Sequence, residues 1–177
     1  MIMNERGFTV MEVLAASAVI GIALMSLLTV VPLGSYGVQE GKQLSTASFL
    51  ADQRLEQVRN APWTVNPLPN GNDCLGISAS ATAAPTVPAA ATCTLGAGAQ
   101  GPGTVTFSDE SAAQITGFPG YSRTVRVTDC SGAGGCTGVT DPKARLVTVT
   151  VTYTPMSGAS VTATQKAAVL SMLVAKR

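Results

Sequence analysis

The sequence predicts an α+β protein: a long N-terminal α-helix, half of it apolar enough for a membrane and half amphipathic, packed on a small antiparallel β-sheet head. Three observations predict it. Residues 13–39 form a run of 27 positions without one formal charge. Beyond that run, Leu44, Ala47, Ala51, Leu55 and Val58 recur at spacings of three and four, one face of a helix. Near the C-terminus, residues 145–154 alternate apolar residues with threonine, the period of a half-buried strand.

The chain of 177 residues has room for one ordinary domain plus an appendage. Its 11 basic and 10 acidic residues nearly cancel, which argues against a basic nucleic-acid-binding domain. Histidine is absent, so His-based acid/base catalysis and His-ligated metals are excluded. The apolar run would be ~40 Å long as a helix, against ~30 Å of bilayer hydrocarbon. It reads as a transmembrane segment in preference to a soluble core helix. A cleaved secretory signal has a shorter apolar region and a more basic start than the lone Arg6. The positive-inside rule gives no orientation, because Arg6 precedes the span while Lys42, Arg54 and Arg59 follow it closely.

Glu12 does not fit an ordinary anchor. A carboxylate in hydrocarbon costs a few kcal/mol and marks a functional candidate with a partner to be found. Upstream of it a short polar leader ends in Gly7, and Phe8 follows, four positions before Glu12. Cleavage-type glycine, aromatic, acid and long apolar helix together resemble the class III signal of type IV pilins and type II secretion pseudopilins. The resemblance implies that Gly7 ends a leader of residues 1–7 and that a prepilin peptidase cuts there and N-methylates Phe8. Glu12 would then be neutralised by the new amine of a neighbouring subunit, a pairing that matters more in low dielectric than in water.

The amphipathic half is expected to carry the helix to about Asn60, where Pro62 stops it. Residues 8–60 would span ~80 Å, similar to the long pilin helix whose outer half packs on a head. Pro32, Gly34 and Gly37 interrupt the run and predict a kink or a locally melted stretch. Tolerance of proline within a membrane helix is the competing reading. Ala51, Leu55, Glu56 and Arg59 form an Ala-x-x-x-Leu-Glu-x-x-Arg pattern before a proline, which resembles minor pilins of the type IV pilus modification group. An ordinary amphipathic helix would carry the same residues.

The remainder resembles pilins only in architecture. Residues 74–108 hold no charge and no clear period, and read as a long Ala/Gly/Pro-rich loop or a disordered low-complexity segment. Tyr121–Asp129 reads as a strand with Tyr121, Arg123, Val125 and Val127 on one side. Residues 145–154 form the second strand, 155–158 a turn, and 159–176 a long or broken third strand, with 105–107 a possible fourth. The domain plan is leader 1–7, transmembrane and assembly helix 8–39, amphipathic half 40–61, loop 62–108 and β head 109–177.

Cys74, Cys93, Cys130 and Cys136 all follow the span, and an even number in a small extracytoplasmic domain suggests disulfides. Three connectivities are open; the favoured one joins Cys74 to Cys93 and Cys130 to Cys136, against a reduced pair or zinc ligation without CxxC or histidine. No nucleophile–base set, phosphate loop or dinucleotide fingerprint occurs. Asp109-Glu110 reads as a lone acidic pair on a solvated turn, too few oxygens for calcium. Arg123, Arg126, Lys143 and Arg145 make the head locally basic, more in the manner of a solvated strand edge than of a DNA contact. The resemblance implies a non-enzymatic minor pilin or pilin-like subunit, with no metal or cofactor, in the bacterial inner membrane and then in a filament. Its partners would be other pilins, the prepilin peptidase, an inner-membrane assembly platform and lipid. A type II secretion pseudopilin and a membrane-anchored binding module are the alternatives.

Overall fold

The computed structural model describes residues 7–64, 71–95, 98–132, 135–155 and 164–176, the side chains of 31–33 excepted. Helix α1 spans Val10–Arg59, 50 residues and about 75 Å at the usual rise. Thr9 caps it, its hydroxyl accepting the backbone N–H of Glu12 at 3.3 Å. At the other end the Asn60 N–H donates to the Glu56 carbonyl at 3.1 Å, and Pro62 follows. The helix is continuous across Pro32, Gly34 and Gly37, so the expected melted stretch is helical instead. A proline removes one amide donor from the ladder, and the bonds on either side carry the helix past it.

Two unlike halves make up α1. Every residue from 7 to 30 is exposed. The buried stripe begins at Ala47 and continues through Leu50, Ala51, Leu55 and Val58. Leu44, expected on this stripe, is 48% exposed, and Leu50 widens the stripe instead. At the height of Leu44 the head meets the helix through polar contacts: the Tyr121 hydroxyl donates to the Gln43 carbonyl and Lys166 donates to Glu40.

That stripe is covered by a three-stranded antiparallel sheet of β7 (Tyr121–Asp129), β8 (Ala144–Tyr153) and β9 (Lys166–Ala175), with β8 in the centre. The register sets Val125 beside Val149 and Val149 beside Leu170, so each strand turns one parity toward the helix. Val147, Val149, Val151 and Tyr153 are buried, and the threonines between them face away. The third strand begins at Lys166; residues 159–163 of the 159–176 expectation, and 156–158 of the expected turn, lie outside the described residues, as do residues 1–6 of the expected leader.

Among its described residues the 62–108 segment, expected as a loop, carries six short strands. These are β1 (Trp63–Thr64), β2 (Asn72–Asp73), β3 (Ile77–Ser78), β4 (Pro85–Thr86), β5 (Cys93–Leu95) and β6 (Gly98–Gln100). They pair as three separate two-stranded ribbons. Runs of two or three residues are too short to show a period in the sequence. A small core of Cys74, Val87, Ala91 and Cys93, with Ala61 packed against it, serves this segment. Residues 105–107 do not join the main sheet: Val105 makes a single bridge to Thr86, and Phe107 packs on the main core. The favoured disulfides are the ones formed, Cys74–Cys93 and Cys130–Cys136.

Candidate assembly end and the clamps of the head

Gly7, Phe8 and Glu12 stand together at the free end of α1. Gly7 and Phe8 precede the helix without regular secondary structure, with open space around Gly7 and Phe8 82% exposed. Glu12 lies in the first turn, where the helix dipole favours a negative charge. Its backbone N–H is capped by Thr9, and among the described residues its carboxylate has no ion-pair partner. Thr9-x-x-Glu12 is thus also a helix-start pattern, a local role that the emphasis on membrane charge overlooked. Gly34 and Gly37 lie within the exposed helix with open space around them, and Pro32 sits in the same continuous helix.

Of the four basic residues expected at a solvated strand edge, Lys143 is exposed just before β8, whereas Arg123, Arg126 and Arg145 are held in ion pairs within the head. Arg123 and Arg145 sit on the apolar faces of β7 and β8, and both are buried. Arg145 makes a two-pronged bridge to Asp73, Nη1 to Oδ1 and Nη2 to Oδ2, each 2.7 Å. Its guanidinium lies 4.3 Å from the centre of the Trp63 ring. Asp73 Oδ1 also accepts the Gly76 N–H at 2.9 Å, so one carboxylate binds β8 and its own turn. Gly76 has φ +73°, and a Cβ there would lie 2.9 Å from the Thr86 carbonyl oxygen, so glycine is required at this turn.

Arg123 donates to Glu110 Oε2 at 2.6 Å and to the Leu50 carbonyl of α1 at 3.0 Å. Arg54, from the helix, approaches the same Glu110 and stacks on Phe107. Burial is the main influence on Arg54 and lowers its pKa, Glu110 opposing it. Arg126 grips Asp109 with two nitrogens and donates to the Ala81 and Thr82 carbonyls. The hydrogen bond to Asp109 raises the Arg126 pKa above its ordinary value. Asp109 and Glu110 are therefore counter-ions of three arginines, not a lone pair on a solvated turn. The signal was present in the sequence: a charge on the apolar parity of an alternating strand must find a buried partner.

Among the described residues no group of three or more Cys, Asp or Glu side chains is arranged to hold a metal ion. Among the described residues one helix is long and apolar enough to cross a membrane, and none of its apolar stretch is buried by the head. Fold and site thus define an α+β chain in which a membrane-length helix packs its far half on a β-sheet head stapled by two disulfides. Comparison with family models, with curated proteins and with solved structures finds no match.

Proposed function

We propose that the chain is a minor type IV pilin or pilin-like subunit, cut after Gly7 and N-methylated on Phe8 by a prepilin peptidase, and built into a filament through α1. One observation carries the reading. The Gly7-Phe8 junction and Glu12 lie at the tip of a bare apolar helix whose far end alone is clasped by a folded head. An exposed apolar surface of that size needs lipid or neighbouring helices around it. Cleavage at Gly7 supplies an amine next to the apolar rod, and a neighbour's amine is the counter-charge that Glu12 lacks among the described residues. The pairing would favour a fixed axial stagger between helices. Type II secretion pseudopilins use the same processing, so this reading covers both kinds of filament.

The test is the N-terminus of the membrane-extracted native protein, read by intact and peptide mass spectrometry. The expected chain begins at N-methylated Phe8. A chain that retains residues 1–7, in cells whose prepilin peptidase is active, overturns the proposal and leaves a membrane-anchored binding module as the better account.

A further inference from the structure

A cavity of about 230 Å³ opens where the last turn of α1 meets the β5–β6 ribbon and the 105–107 segment. None of the residues that line it carries a formal charge. Asn60 comes from the helix end and Gln100 from β6, and among the described residues neither side-chain amide makes a hydrogen bond. Gln57 accepts from Arg54 through Oε1 at 2.9 Å, which leaves its NH2 group as a donor. Thr106 directs its hydroxyl hydrogen toward the Leu75 and Pro85 carbonyls, which leaves its oxygen as an acceptor. Leu95 and Val105 add apolar wall, yet are 55% and 47% exposed. The fold leaves these apolar side chains half uncovered.

We propose that this cavity binds a neutral saccharide, one uncharged sugar ring. Amides that offer both a donor and an acceptor match the paired donor and acceptor character of sugar hydroxyls. Leu95 and Val105 suit the C–H face of the ring. A charged ligand would be desolvated with no counter-charge in the lining. The volume is below the roughly 300–1,000 Å³ of sites for drug-sized molecules, which limits the occupant to about one ring. Both walls are held in advance: the disulfide Cys74–Cys93 lies in the lining and ties β5 to the residue after β2, whose N–H donates to the Pro62 carbonyl at 2.8 Å. The cavity sits at the end of α1 farthest from the apolar half, about 30 Å along the helix beyond Gln39. The inference does not rest on the filament reading, because an anchored module would present the same cavity.

The experiment is saturation-transfer NMR on the full chain in a sugar-free detergent, lauryldimethylamine oxide. The probes are the methyl glycosides of glucose, galactose, mannose and N-acetylglucosamine at about 10 mM, against sialic acid and N-acetylalanine amide as charged and peptide counter-probes. At least one neutral glycoside is expected to receive saturation, with a Kd in the millimolar range. The exposed pair Asn60→Ala with Gln100→Ala is expected to weaken it about tenfold or more while the thermal unfolding midpoint stays unchanged. Leu95→Glu, an exposed position, blocks the apolar wall independently and is expected to abolish transfer. The proposal is overturned by no transfer to any neutral glycoside, by equal transfer in these variants, or by stronger transfer to sialic acid or the peptide amide.

Discussion

Removal of the Asp73 carboxylate should loosen the 62–108 segment from the sheet. The carboxylate accepts three hydrogen bonds, two from Arg145 at 2.7 Å and one from the Gly76 N–H at 2.9 Å. In Asp73→Ala the Arg145 guanidinium stays buried against Trp63, with the Gly76 carbonyl at 3.2 Å as its remaining acceptor. Stranding one member of a buried pair costs about 3–5 kcal/mol, a large share of the roughly 5–15 kcal/mol that holds a domain together. The half-exposed Arg59–Glu56 pair on α1, by contrast, contributes about 0–1 kcal/mol. The double change Asp73→Leu with Arg145→Met removes both charges. It should recover most of the loss and end within about 2 kcal/mol of the parent, short mainly of the Gly76 hydrogen bond. Urea unfolding in micelles, followed by fluorescence of Trp63, the single tryptophan, reads both the clamp and the fold. A cost below about 1 kcal/mol for Asp73→Ala would refute the argument. So would a double variant whose loss equals the sum of the single losses.

Further expectations concern the two ends of the molecule. Glu12→Gln should leave membrane insertion intact and reduce or abolish incorporation into filaments, counted by subunit recovery in sheared fractions; normal incorporation would sink the assembly role. Opening Cys74–Cys93, which closes 19 residues of separation, with Cys74→Ser plus Cys93→Ser should cost about 3 kcal/mol in urea unfolding; an unchanged midpoint would remove the disulfide from the account of the head. The hydrogen bond to Glu40 raises the Lys166 pKa above its ordinary 10.5. A raised lysine stabilises the fold fully below the unfolded value, and the contribution is lost as pH rises through the folded value. The Lys166–Glu40 pair between head and helix should thus persist at neutral pH and be lost in strong alkali. A Lys166 titration by NMR with a midpoint at or below 10.5 would contradict this.

Much of the architecture was legible in the residues because it depends on local period. The 3.6-residue spacing after residue 40 marked the helix stripe, and its one error, Leu44, lies where the head supplies polar contacts. Alternation marked β7 and β8 to within a residue at each end, and β8 is central because its partners bury the valines of one parity. The place of Gly7, Phe8 and Glu12 at the free end of α1 was also legible, since they are neighbours in the chain just before and within the first turn of the apolar run. So was the pairing of the cysteines, because each bridge joins the nearest candidates in sequence.

What only the tertiary structure decided lies between residues distant in sequence. Asp73 and Arg145 are 72 positions apart, and Arg123 and Leu50 are 73 apart. The guanidinium groups reach the Asp73 carboxylate and the Leu50 carbonyl through the seating of the loop and helix on the sheet, not through any local rule. The same seating converts an apparent basic edge into internal ion pairs and folds an aperiodic segment into three ribbons. It also gathers Asn60, Gln100 and Leu95 around one uncharged cavity. Periodicity reports which face of an element is buried. Which buried charge meets which, and which polar groups are left facing a hollow, follows from packing in three dimensions.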